Sequence, residues 1–241
     1  MNATQEHWDQ VWTSHNVSRH HDTVIEQVLR LGVTDALEVG AGSGRDVERL
    51  HELGVRVVYS DFSRAAAEAF GSRCPQVAAC QADATRLPFP DGSFELVYSL
   101  GLLEHFERSV RERIIAEHFR VASRYVLIDV PQRFAPACLI KKAMMATGRW
   151  PYGWETEYSL PGLLREVRSV VDGTEVTGSY GRELFPLPRN LKNKVYRSLP
   201  EQARQAYLGT HRWFAFGLAG ALGVVFRVPE RSQSRPKALA A

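Results

Sequence analysis

The sequence has few of the features that mark special protein classes. Only three cysteines, Cys74, Cys80 and Cys138, occur in 241 residues. Their odd number and the lack of CxxC spacing argue against a disulfide framework or a cysteine zinc site, and fit a reduced, cytoplasmic protein. No apolar run reaches the roughly 20 residues that a membrane-spanning helix needs. The longest, Trp213 to Phe226, is broken by Gly217, Gly220 and Gly223. It reads as core helix followed by strand, with peripheral membrane contact as the weaker alternative. The first ten residues are polar and do not form a secretory signal, so the Asn2-Ala3-Thr4 and Asn16-Val17-Ser18 sequons carry no meaning. A formal charge of +3 is too small to argue for nucleic acid by itself. There are no internal repeats. The polar, basic segment 229–241 is expected to be a disordered tail.

What is present is an ordinary globular composition, 44% hydrophobic and 24% charged, of a length that suits one domain with insertions. Residues 1–33 read as a helical cap. Trp8, Val11 and Trp12 make one apolar face, and Val24, Val28 and Leu31 make another that Gly32 ends. Strands are expected at Ala36–Val39, Val55–Ser60, Val77–Cys80, Phe94–Leu100 and Tyr125–Val130, the last stopped by Pro131. Helices are expected between them, carried by Val47, Leu50 and Leu53, by Ala65 to Phe70 with Gly71 closing, and by Val110, Ile114, Ile115 and His118. Such alternation is the pattern of a parallel sheet covered on both faces. The alternation stops after Pro131. Residues 131–159 read as an insertion with a short amphipathic helix and an aromatic loop. Leu160–Val171 resumes as a helix, and Thr174–Ser179 and Gly223–Val228 read as the final strands. A second, basic insertion lies within 181–221.

The stretch Glu38-Val39-Gly40-Ala41-Gly42-Ser43-Gly44 is the most informative. Glycines at 40, 42 and 44 let the backbone turn sharply and approach a ligand with no Cβ in the way. The next helix points free N–H groups at that ligand. A dinucleotide fingerprint would read GxGxxG. Here the third glycine comes one residue early and Arg45 stands in its place, which weakens the NAD reading. Asp61 ends the second strand, where a carboxylate can accept from both ribose hydroxyls. Asp83 follows the third strand, where it can accept from an adenine amino group. Any one of these acids alone is as readily a solvated loop residue. Three such features at three successive strand ends are much harder to obtain by accident.

With these residues, and with the run Asp83-Ala84-Thr85-Arg86-Leu87-Pro88-Phe89-Pro90-Asp91-Gly92-Ser93-Phe94-Glu95, the chain resembles the class I S-adenosylmethionine-dependent methyltransferases, within them the type 11 branch. The resemblance is good from Trp8 to Val130 and covers only the general layout beyond. It implies a Rossmann-like, seven-stranded, mostly parallel α/β sheet with helices on both faces, the last strand antiparallel. One domain would span 1–228, with the 1–33 cap and the two insertions as lids around an acceptor site. It also implies S-adenosylmethionine as methyl donor. Glu38 and the backbone of Gly40, Ala41, Gly42 and Gly44 would hold the methionine end. Asp61 would bind the ribose, Phe62 would pack near the adenine, Asp83 and Ala84 would meet its edge, and Ser99 and Leu100 would line the cofactor.

The acceptor is less legible. His105, after the fourth strand, is the candidate base because a histidine titrates near neutrality; a brace for the following helix is the alternative. Gly101 stands where some relatives place a metal-binding acid, so no metal is expected. His20-His21 reads as part of a surface helix. Trp150, Tyr152, Trp154 and Tyr158 either wall an aromatic pocket or pack a small core of their own. Lys141, Lys142 and Arg149 read as a solvated helix face, or as an attractor for an acidic acceptor. The leading expectation is methyl transfer to an oxygen, nitrogen or carbon of a small molecule. An RNA methyltransferase and a non-catalytic cofactor-binding protein are the alternatives.

Overall fold

Four consecutive buried residues, Ala36 to Val39, make β1 (Asp35–Val39) a central strand, because only a strand covered on both faces tolerates such a run. Around it the chain forms β2 (Arg56–Asp61), β3 (Ala79–Gln81), β4 (Phe94–Leu100), β5 (Ala122–Pro131), β6 (Glu175–Arg182) and β7 (Ala221–Arg227). The helices are α1 (Gln5–Ser14), α2 (Asp22–Arg30), α3 (Arg45–Glu52), α4 (Arg64–Arg73), α5 (Arg108–Val121), α6 (Pro136–Ala146) and α7 (Leu160–Val170). The computed structural model describes residues 4–14, 21–133, 136–148, 150, 152–182, 198, 200–202 and 220–230. The expectations for the Asn2 and Asn16 sequons, His20, Arg149, 213–219, most of the second insertion and the 231–241 tail fall outside them.

The seven strands run in the order β3-β2-β1-β4-β5-β7-β6. β1 through β5 pair in parallel, and β7 is antiparallel to both β5 and β6. This is the Rossmann-like sheet expected from the sequence. Side-chain alternation splits the core in two. Leu37, Val39 and Val97 face α5 and α7 through Ile114, Ile115, Leu163 and Val167. Ala36, Leu96 and Tyr98 face α2, α3 and α4 through Val24, Val28, Val47, Leu50 and Phe70. The order reverses between β1 and β4, so the crevice for a ligand opens at their carboxyl ends. Among the described residues no helix is long and apolar enough to cross a membrane.

Several boundaries differ from the sequence reading for physical reasons. α4 runs through Gly71 to Arg73 and ends at Cys74; a Cβ on Gly71 would meet nothing, so that glycine neither strains nor stops the helix. Leu53 lies outside α3 as its C-cap and is exposed, leaving Val47 and Leu50 to fill the buried stripe. Pro131 is the last residue of β5, paired with Ala221. β3 begins two residues later than expected, after the buried Val77.

Candidate functional site

The turn after β1 is held in shape from three sides. Gly40, Gly42 and Gly44 all have positive φ (69°, 52° and 66°), a region costly for other residues. Gly42 N–H donates to Asp61 Oδ2 at 2.7 Å, and Tyr59 Oη donates to the Gly42 carbonyl at 2.7 Å. The Arg73 guanidinium donates to the Ser43 carbonyl. A Cβ on Gly42 would stand 2.3 Å from the Trp12 ring, and one on Gly44 would stand 2.2 Å from Phe70. The turn is therefore closed over by α1 on one side and α4 on the other.

Three carboxyls gather behind this turn. Glu38 accepts from Tyr98 Oη at 2.9 Å. Asp61 takes a second backbone bond from Ser63 N–H at 2.7 Å. Asp46, in the first turn of α3, accepts from His21 N–H at 2.6 Å and lies 2.8 Å from His21 Nδ1. Each of the three is at most 6% exposed. Burial holds the Glu38 carboxyl well above the usual range, and the Asp46 charge pushes the same way. Burial also raises Asp61 to about 6, against the lowering effect of its two backbone donors.

These residues form one wall of a cavity of about 710 Å³. Of the residues expected to hold a cofactor, Glu38, Gly40, Ala41, Asp61, Phe62, Asp83, Ala84 and Leu100 line it. Gly42, Gly44 and Ser99 are not among the lining residues. The first two are covered by Trp12 and Phe70. Ser99 is buried within β4, where it pairs with Ile128 of β5.

The opposite wall comes from the turn after β4 and from the first insertion. A short 3-10 turn, Leu103–His105, sets Glu104 and His105 side by side. Trp8 of α1 packs edge-on against His105 with ring centroids 4.9 Å apart, and Tyr152 lies 6.5 Å away. Burial lowers the His105 pKa to about 4, so the imidazole is neutral at ordinary pH, and its Nδ1 has no hydrogen-bond partner among the described residues. Glu104 is 3% exposed, its Oε2 has no partner among the described residues, and burial raises its pKa well above the usual range, with the Glu155 charge next. Trp150 stands 5.5 Å from Tyr152, and its Nε1 donates to Glu155 Oε1 at 2.7 Å. Lys141 Nζ donates to Glu155 Oε2 at 2.9 Å.

Residues 36–124 match the model of a methyltransferase domain family. A probable S-adenosylmethionine-dependent methyltransferase of Mycobacterium tuberculosis is 29% identical over 123 residues, covering 49% of this chain and 44% of that protein. The chain thus aligns with less than half the length of that relative. A demethylmenaquinone methyltransferase of Beutenbergia cavernae is 45% identical over 67 residues, 27% of this chain and 28% of that one. Among solved structures, the magnesium protoporphyrin IX methyltransferase of Synechocystis PCC 6803 with bound SAH has a TM-score of 0.61 at 12% identity, over 93% of this chain and 94% of that one. At that identity the likeness speaks to the fold alone. The domain match and these relatives support a class I S-adenosylmethionine-dependent methyltransferase.

The cavity suits S-adenosylmethionine on its own geometry. S-adenosylmethionine carries a sulfonium and an ammonium, and Glu38 is a buried carboxyl that a cation would relieve, while Asp61 is one that hydroxyl donors would relieve. Glycine at 40 and the exposed ring of Phe62 leave room for close approach.

Three sequence expectations need correcting. His21 is not on a helix surface; it precedes α2 and clamps Asp46 at the cavity. Lys141 is buried and paired with Glu155, and Lys142 pairs with Glu157 at 3.1 Å, so neither is an unpaired cation awaiting an acid. The aromatic quartet divides: Trp150 and Tyr152 line the cavity, Trp154 is exposed, and Tyr158 is buried in the core beside α7. Sequence reasoning missed Asp46, Glu155 and the lining role of Trp8 and Trp12. The i, i+4 spacing of the two tryptophans is a visible signal, but it marks only an apolar face of the cap and not what that face covers.

Proposed function

We propose that the protein transfers the methyl group of S-adenosylmethionine to an oxygen, nitrogen or carbon nucleophile of a small-molecule acceptor. One observation carries the reading: a single cavity has the glycine turn with its buried carboxyls on one wall, and His105 among aromatic rings on the other. Cavities of roughly 300–1,000 Å³ hold ligands of this size. When bound, S-adenosylmethionine supplies a methyl group already activated on a cationic sulfur.

The chain's own residues would then align and desolvate. Glu38 and the backbone at Gly40 and Ala41 hold the methionine end. Gly42 acts indirectly, fixing the Asp61 carboxylate through its N–H. Asp61 keeps lone pairs for the ribose hydroxyls, Phe62 packs beside the adenine, and Asp83 and Ala84 meet its edge. Leu100, rather than Ser99, faces the ligand. His105 accepts a hydrogen bond from the nucleophile as it loses its proton, with the neutral ring the buried site enforces. Holding acceptor and methyl in line supplies much of the rate. Residues 1–228 act as one domain, the described parts of the 1–33 cap and of the 131–159 insertion enclosing the acceptor.

The test is calorimetric titration of the full chain with S-adenosylmethionine, beside Asp61→Ala. Saturable binding lost in the variant supports the site. Equal binding by both proteins would remove it. Incubation with labelled donor and a metabolite extract then identifies the acceptor.

A further inference from the structure

Two features at the acceptor wall have a use only when something binds there. The first is Glu104, 3% exposed, lining the cavity with Oε2 unpartnered among the described residues. A buried carboxyl with an unmade hydrogen bond costs free energy that a ligand donor recovers. The second is a set of lining rings: Trp8 and Tyr152 stand 4.9 and 6.5 Å from His105, the neighbour of Glu104, and Trp150 lies 5.5 Å from Tyr152. Aromatic faces beside a carboxylate attract a compact cation.

We propose that the acceptor is a small amine bearing a flat apolar group, its nitrogen seated at Glu104 between the rings of Trp8 and Tyr152.

The surrounding charges favour this over an acid or an alcohol. Lys141 is spent on Glu155 at 2.9 Å and stands 3.8 Å from Glu157. Burial and the charges of Glu155 and Asp129 oppose ionisation of Glu104, while its own backbone N–H and Lys141 favour it. His105 is neutral, and His7 lies near it on α1. Arg113 of α5 also lines the cavity, but as an exposed side chain. An anionic acceptor would face Glu104 and Glu155 together. An ammonium would instead ionise Glu104 and be paired by it.

The chemistry balances. Paired to the Glu104 carboxylate, the ammonium gives one proton to the neutral His105 ring. The freed nitrogen lone pair forms the C–N bond as the C–S bond breaks, its electron pair staying on sulfur. The methylated ammonium leaves, His105 gives its proton to solvent, and Glu104 returns protonated.

This inference rests on the proposed methyl-transfer reading, and the experiment separates the two. The full chain is loaded with S-adenosylhomocysteine and titrated at pH 8 with phenethylamine, 2-phenylethanol and phenylacetate, which differ only in the polar head. Phenethylamine is expected to bind at least about 10-fold tighter than either analogue, the scale of one charge-assisted bond. In Glu104→Gln the amine and alcohol should converge, with S-adenosylhomocysteine affinity and melting temperature unchanged. Tyr152→Leu should weaken the amine and spare the cofactor. Equal binding of all three probes, binding of none, or an undiminished preference in Glu104→Gln overturns the proposal. So does loss of S-adenosylhomocysteine binding in Glu104→Gln, which would assign the carboxyl to the donor. Failure of wild type to bind the cofactor would instead remove the methyl-transfer reading beneath it.

Discussion

Lowering the pH should release the cofactor through Asp61. This carboxyl is 6% exposed and its pKa is raised from 3.8 to about 6. The difference corresponds to about 3 kcal/mol at roughly 1.36 kcal/mol per unit. The sign follows from proton linkage. The folded state binds the proton more tightly than the unfolded chain, so the stability this group contributes is present below pH 4 and is lost as pH rises through about 6. Above that pH the unliganded protein carries a strained carboxylate, and ribose hydroxyls donating to it relieve the strain. Binding should therefore be strongest where Asp61 is ionised. At pH 5 about one molecule in eleven is ionised, so affinity should fall about 10-fold from its value at pH 8. Calorimetric titrations at pH 8, 7, 6 and 5 would read this directly. In Asp61→Asn the weaker binding should lose this dependence, since an amide does not titrate. Glu38 shifts in the same direction, so a residual slope in the variant would belong to it. Affinity that is flat from pH 8 to pH 5 in the wild type, or a slope undiminished in Asp61→Asn, would refute the reasoning.

Other expectations concern the opposite wall and the turn. His105→Ala should lower kcat by about 10²- to 10⁴-fold while leaving cofactor affinity intact, as removal of a base does. Because the His105 pKa is about 4, the wild-type rate should show no inflection from this group between pH 6 and 8; an inflection there that disappears in the variant would contradict it. Lys141→Met should destabilise the fold by about 3–5 kcal/mol in urea by stranding the buried Glu155, and the double change Lys141→Met with Glu155→Leu should recover most of that loss. Gly42→Ala, with a Cβ 2.3 Å from Trp12 at φ +52°, should cost about 1–3 kcal/mol in stability and weaken cofactor binding, seen as a lower melting temperature that added cofactor no longer raises.

The donor wall was legible because its parts are local. A strand, three glycines and a helix start fall within eight residues, and Asp61 and Asp83 each follow a strand that its own apolar run announces. The acceptor wall was not, because its parts meet only in the folded chain. Lys141 looked like a solvated charge until α6 brought it to Glu155, fourteen residues on. His21 looked like a surface residue because its partner, Asp46, lies 25 positions away across the turn. Tyr158 and Trp154 stand four residues apart in an aromatic loop, yet one is 4% and the other 59% exposed. Composition could group those rings but could not sort them.

α1 shows how the two walls become one site. Asp9 accepts from Ser63 Oγ and from Ala65 N–H, anchoring the helix at the start of α4; those donors hold its carboxyl below the usual range, the Ser63 bond most of all. From that anchor Trp12 closes over Gly42 and Trp8 packs on His105. The two tryptophans are four residues apart, about 6 Å of helix rise. A single helix thus touches the backbone expected to hold the donor and the ring expected to receive the proton. Its anchor at Asp9 is exposed enough to be broken without emptying the core. Asp9→Ala should therefore weaken cofactor and acceptor binding together, whereas Asp61→Asn should act on the cofactor first. Titration of the Asp9 variant with S-adenosylhomocysteine, and then with phenethylamine, would show whether the two losses travel together; a loss confined to one ligand would mean that the walls are held independently.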